Sequence, residues 1–177
     1  MVSIFIFTFV SKNHALGKQD SYLVRAAVFF ALAADYFLVV NEIFPLGISL
    51  FCICQLLHFF RYTGLKTLIK CIIPLPFVYL VLSFIIADTV TRMSIIYIIC
   101  LALASTGAVL AFKSRKYDSP NRHFIVTAMI FFIISDINVL LYNTPPLIDY
   151  RLYFLYFIWS FVLPAHILLS LSKIKLR

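Results

Sequence analysis

Long apolar runs, broken by short clusters of charged and turn-forming residues, set the pattern of this chain. Runs near residues 22–40, 45–60, 71–87, 93–112, 123–142 and 152–171 approach or reach the roughly 20 residues that an α-helix needs to cross a bilayer. The second and third are short, and predict helices that stand upright or thin the bilayer. A further run at residues 1–10 is about half a span long, which suits a partial helix, a re-entrant piece or an interfacial anchor. It has the length of a signal peptide, but Lys12 and Lys18 follow the apolar run and no A-x-A site does, so cleavage is not expected. The expected fold is all-α: a polytopic transmembrane helical bundle of six full spans plus a short N-terminal apolar segment. No internal repeat, heptad run or low-complexity tract divides the chain. Residues 1–177 are therefore expected to form a single integral-membrane domain, with residues 1–20 as the apolar start and its loop and residues 21–172 as the bundle.

Punctuation fits this layout. Thr144-Pro145-Pro146 and Asp118-Ser119-Pro120-Asn121 are turn clusters, and the second also offers polar groups ahead of the helix near His123. Pro74, Pro76 and Pro164 fall inside spans, where they predict kinks.

Composition removes the competing classes. Hydrophobic residues make up 63% of the chain and charged residues 12%, against roughly a quarter charged in a soluble domain. The net charge of +8 would suit a nucleic-acid partner if it formed a patch. It does not, because the segments 41–44, 88–92 and 143–151 hold only Arg92 and Arg151, and the other thirteen basic residues, from Lys12 to Arg177, fall on the opposite side. The positive-inside rule then puts that side and the C-terminus in the cytoplasm of a cell membrane. The bilayer is the expected partner, and nucleic acid is not. Cys52, Cys54, Cys71 and Cys100 lie in apolar runs without CxxC pairing, as small core hydrophobes do.

Candidate chemistry sits inside the spans. Of seven acidic residues only Asp35 and Asp136 are deep, and a charged carboxylate at that depth costs roughly 2.5–3.5 kcal/mol on insertion scales, so an intramembrane acid points to function. Counting residues between flanking polar positions puts Asp35 about 2 Å and Asp136 about 5 Å from the midplane, on two helices running the same way. Ala27 and Ala31 precede Asp35 by eight and four residues, giving a small-residue stripe that lets a neighbour approach on the acid's own face and turns Asp35 inward. The bland alternative is that each acid is a packing element hydrogen-bonded to residues such as Ser135, Asn138 or Gln55.

His58 and His166 form a second layer, about 6–8 Å to the cytoplasmic side of the midplane. Without an HxxxH pair they are weak evidence for a metal, and packing or hydrogen bonding is the expected role. No metal or organic cofactor is expected, and His14 and His123, at the edges, carry no expected role. Tyr150, Tyr153, Tyr156 and Trp159 suit an interfacial aromatic belt better than a substrate rim.

FALAADYFLV followed by PLGISLFCICQLLHFF, then TAMIFFIISD and IWSFVLPAH, resembles the YhhN-type family, which includes the vertebrate lysoplasmalogenases. The order and spacing of these segments, from about Tyr22 to Leu171, carry the resemblance. It implies a catalytic pair in Asp35 and Asp136, with His58 and Ser135 as matched motif residues. Gln55, Asn138 and His166 join His58 and Ser135 as candidate substrate-binding residues. Four positions depart from the pattern: Ala34 for Gly, Arg61 for the tyrosine of HxxY, Thr127 for Gly and His166 for Gln. Members usually have about eight helices, so the family's first helix and part of its second are expected to lack a counterpart here.

The resemblance implies hydrolysis of the vinyl-ether bond of a lysoplasmalogen to a fatty aldehyde and a glycerophospho-alcohol. Such a bond resists nucleophiles but yields to acid, because protonating its β-carbon gives an oxocarbenium ion that water captures. A pair of shielded carboxyls, one protonated and one ionised, suits that need. The substrate would be a lysophospholipid whose tail lies among Phe, Leu and Ile side chains. Two readings from other classes stay open: a proton-coupled or small-solute transporter, although no inverted repeat is evident, and an inactive lipid-binding relative.

Overall fold

A helix in an apolar medium satisfies its own backbone, which is why each long apolar run becomes one. The computed structural model describes residues 2–10, 17–143 and 145–174; Lys12, His14, Thr144, Lys175 and Arg177 lie outside them. Eight α-helices follow in order: α1 (Val2–Val10), α2 (Lys18–Val39), α3 (Phe44–Thr63), α4 (Leu65–Ile72), α5 (Leu75–Ile85), α6 (Thr89–Lys113), α7 (Asn121–Tyr142) and α8 (Arg151–Leu171). A 3-10 turn over Pro145–Tyr150 leads into α8. Among the described residues, six spans are long and apolar enough to cross a membrane, with α4 and α5 counting as one, Leu65–Ile85. The protein is an all-α polytopic bundle.

The third span differs from the sequence expectation. It starts at Leu65 and not near residue 71, because Gly64, in a conformation with φ of +90° that other residues rarely adopt, ends α3 and lets the next helix begin at once. It is also broken, since Pro74 cannot donate to the helix it interrupts and Pro76 sits in the first turn of α5. Pro164 by contrast lies inside an unbroken α8. Asn121 is not a cap ahead of its helix: it is the first residue of α7, and its amide donates to the Ile174 carbonyl at 2.8 Å. Asp88 does cap, accepting from the Thr91 backbone N–H at 2.7 Å at the start of α6.

Five helices close a ring in the order α2, α3, α6, α7, α8 and back to α2. The α2–α3, α3–α6 and α7–α8 seams are broad, whereas α8 meets α2 only over a short stretch, which α1 covers by packing on both. Close approach at the α2–α3 seam depends on Ala27, Ala31 and Ala34, all fully buried, and on Gly47, where a Cβ would fall 2.4 Å from Leu38 Cγ. The α4–α5 span stands outside the ring with no buried residue of its own. Its Leu75, Val78, Tyr79 and Leu82 pack on Cys52, Ile96 and Cys100.

The two ends of the ring are unlike. At one, α2 and α7 begin while α3, α6 and α8 end; Lys18, Arg61, Lys66, Lys113, Lys116 and Lys173 gather there, and it is called the basic end. The opposite end carries the exposed Tyr150, Tyr153 and Tyr156, while Trp159 packs against the main core cluster.

Candidate functional site

Asp35 lies four residues before the end of α2 and Asp136 six before the end of α7, both far from the basic end. Counted from the basic end of each helix, Asp35 stands about 26 Å along and Asp136 about 23 Å, so helical rise puts the two acids at similar distances from that end. Their surroundings differ. Oδ2 of Asp136 accepts from the Tyr97 hydroxyl on α6 at 2.7 Å, and Tyr97 is in turn packed by Phe51 of α3, ring centres 6.1 Å apart. Oδ2 of Asp35 is buried with no hydrogen-bond partner among the described residues. Cys54 of α3 packs with Ala27 and Ala31 of α2, and Phe51 of the same helix packs on Tyr97, so α3 borders the surroundings of both acids.

The residues flanking Asp136 turn to different partners. The Ser135 hydroxyl, 2% exposed, donates to the Ile158 carbonyl of α8 at 3.3 Å. Asn138, half-buried, donates its amide to the Ile134 carbonyl one turn back in its own helix at 2.8 Å. Both bonds are to backbone, which fixes the side chains beside the Asp136 layer without joining either to a carboxylate.

A second polar layer lies between the acids and the basic end. Gln55 and His58 on α3, with His166 and Ser170 on α8, are all fully buried. Neither ring nitrogen of either histidine nor the Ser170 hydroxyl has a hydrogen-bond partner among the described residues, and the Gln55 amide has only the Tyr97 hydroxyl close by. His58 stacks on Tyr62 with centroids 6.2 Å apart, and Phe132 meets His166 edge-on at 4.8 Å. The histidines come from helices that are not ring neighbours, yet lie within electrostatic reach of one another across the interior. Leaving a buried donor or acceptor unmade costs about 1–3 kcal/mol, so four such side chains in one interior form a conspicuous group. Among the described residues, no three His, Cys, Asp or Glu side chains converge as a metal centre would require, and Cys52, Cys54, Cys71 and Cys100 are free thiols.

The basic end is instead knitted around one guanidinium. Arg61, two residues from the end of α3, grips Asp20 of α2 through two parallel bonds, Nε to Oδ1 at 2.7 Å and Nη2 to Oδ2 at 2.9 Å. Its Nη1 donates to the Ser172 hydroxyl at 2.8 Å and Nη2 to the Ser172 carbonyl at 3.2 Å. Tyr117, in the α6–α7 loop, donates its hydroxyl to Asp20 and to the Arg61 carbonyl, and Lys116 donates to the carbonyls of Arg61 and Tyr62. Burial holds the Tyr117 phenol above its ordinary value, against the opposing pull of Arg61. Thr8 of α1 accepts at its carbonyl from Arg25 and from Lys173. Burial, and then the neighbouring Arg25 and Arg61 charges, push the Lys173 ammonium down from 10.5 to about 8.

Sequence reasoning did not single out Tyr97. A tyrosine deep in a span, near the level of Asp136 but on a helix running the other way, was the available signal. Nor did it pair Asp20 with Arg61, which counted only as one of the cations of its side. No curated protein and no solved structure gives a significant match to the chain. The YhhN family model matches residues 1–172, taking in the short α1 as well as all six spans, and the chain belongs to the YhhN family.

Proposed function

We propose that the chain is a membrane-embedded hydrolase of lysoplasmalogen-type ether lysolipids, and that Asp35 and Asp136 cleave the vinyl-ether bond by acid–base catalysis. The observation that supports it most is the pair of half-buried aspartates at similar distances from the basic end, one bonded to a tyrosine and the other with a buried oxygen unpartnered among the described residues. Family membership supports the reaction class, since the family includes lysoplasmalogenases.

The two environments favour different roles. Asp136 receives a hydrogen bond from Tyr97, which suits a carboxylate that accepts a proton from water. Asp35, whose Oδ2 meets no donor among the described residues, suits the acid. Asp35 gives its proton to the β-carbon, and the double-bond electrons form that C–H bond, leaving an oxocarbenium ion. Water adds to the cationic carbon while Asp136 takes its proton. The hemiacetal then collapses: its hydroxyl returns a proton to Asp35, Asp136 protonates the departing glycerol oxygen, and both aspartates recover their starting states. The products are a fatty aldehyde and a glycerophospho-alcohol, and the steps use only these two carboxyls and water.

In this reading Gln55, beside the Tyr97 hydroxyl, binds the glycerol portion, and Ser135 and Asn138 flank it with oxygen lone pairs. His58 and His166 lie deeper, toward the basic end. The lysolipid enters from the bilayer, and the basic end faces the cytoplasm of a cell membrane. The test is aldehyde release from a lysoplasmalogen by purified protein. Asp35→Asn and Asp136→Asn should each lower it by about 100-fold or more with the unfolding transition kept, and wild-type-like turnover in either variant rejects the assignment.

A further inference from the structure

The interior layer has more hydrogen-bonding capacity than the protein itself meets. Gln55 and His58 are three residues apart on α3, and His166 and Ser170 are four apart on α8, so each pair lies on one helix face. Helical rise puts both histidines about 8 Å from the basic ends of their helices, and Gln55 about 12 Å. Beyond Gln55 is the Tyr97 hydroxyl, which donates to Asp136. On the other side, just past Ser170, Ser172 binds Arg61, and Arg61, Asp20, Lys116 and Tyr117 line a surface cavity of about 520 Å³. The partnerless groups thus lie between a cavity at the basic end and the aspartates.

Their chemistry indicates what they hold. Amide, imidazole and hydroxyl can each both donate and accept, and none of them demands a charged ligand. Arg61, the nearest strong cation, is occupied by Asp20 and Ser172. A buried water makes about three hydrogen bonds and is the usual partner of polar atoms that the protein leaves unpaired. We propose that Gln55, His58, His166 and Ser170 form an internal water-binding site, a hydrated string leading from the basic-end cavity toward Asp136 and Asp35. The binding of this water does not depend on the hydrolase reading. Its use does, since each turnover consumes one water in an otherwise apolar core.

Hydroxyl-radical footprinting of the wild-type protein in nanodiscs, in ¹⁸O-water and read by peptide mass spectrometry, tests the site. His58 and His166 should take up the labelled oxygen, whereas Leu169 and Val24, equally buried among apolar groups, should not. His166→Phe blocks the middle of the string and should abolish labelling at His58. A variant that merely unfolds would raise labelling at Leu169 instead. Histidines as protected as Leu169 in the wild type overturn the proposal, even if aldehyde is released and the hydrolase reading stands. Labelled histidines with no aldehyde release from a lysoplasmalogen support the water site and remove the hydrolase reading.

Discussion

Helix α3 carries two buried polar groups a single turn apart with opposite fates. Arg61 is 3% exposed, and its guanidinium bonds Asp20 and both oxygens of Ser172. His58, three residues earlier and fully buried, has no hydrogen bond from either nitrogen among the described residues. The first is how a membrane protein uses a charge to hold helices together: α2, α3, the α6–α7 loop and the chain after α8 all converge on one guanidinium. The second fits structure poorly, because an unpaired polar group weakens a fold unless something else binds it. Buried polar residues therefore divide by satisfaction and not by type, and among the unsatisfied groups Asp35, Gln55, His58, His166 and Ser170 are where ligand or water chemistry belongs.

The sharpest way to break this comparison is at the satisfied end. Asp20→Ala leaves the buried Arg61 guanidinium without its counter-ion, which should cost about 3–5 kcal/mol of stability, read as a lower unfolding midpoint in denaturant. Replacing both partners, as Asp20→Leu with Arg61→Met, should recover much of that loss, because two apolar groups leave no charge stranded. If Asp20→Ala unfolds like the wild type, the clamp is not structural and the division fails.

A smaller effect is expected where structure and chemistry meet. Tyr97→Phe removes the donor to Asp136 while keeping the ring that packs on Phe51. About 1–2 kcal/mol of support for the ionised Asp136 should go with it, or roughly tenfold in aldehyde release. Unchanged turnover would show that Asp136 works without its tyrosine. His58→Leu completes the contrast. In place of the multi-kcal penalty at Arg61's partner, it should change stability by within about 1 kcal/mol, since no protein hydrogen bond is lost. A loss as large as that of Asp20→Ala would make His58 a structural residue.

Much of this frame was legible in the chain itself. The spans and the two intramembrane acids are local signals, written in runs of apolar residues that a single charge interrupts. The small-residue stripe at Ala27 and Ala31 also predicted a close neighbour on that face, and the structure makes that neighbour α3, with Gly47 completing the seam. What sequence hid are pairings between distant helices. Arg61 and Asp20 are 41 residues apart, and Tyr97 and Asp136 are 39; no periodicity links positions on separate helices until the ring order is known. Charge counting placed Arg61 on the correct side but could not tell a loop cation from a buried bolt. The departure from the HxxY pattern at that position now has a physical use, since a tyrosine there could not grip a carboxylate with two parallel bonds. The early start of α4 was hidden for another reason: Lys66 and Lys70 look like loop residues until Gly64 is seen to turn the chain directly into another helix.

The smallest predicted effect tests the basic end by titration. Lys173, beyond the end of α8, has its ammonium held at about 8 in the folded chain against an ordinary 10.5, by burial first and by Arg25 and Arg61 next. Between those two values the unfolded chain keeps a proton that the folded chain has released, so folding strengthens as pH rises through the window. Below about 8 the lysine is charged in both states, and above 10.5 it is neutral in both, so its contribution is flat on either side. Other groups titrate there too, and the informative quantity is the difference between the wild type and Lys173→Met, which share those groups. That difference in unfolding midpoint should move in favour of the wild type as pH is raised from 8 toward 10.5. A difference that stays level, or runs the other way, would mean that Lys173 feels the opposite charge of Asp20 more than burial and the two arginines. The basic end would then be a balanced ion network, and not a clamp built around one charge pair.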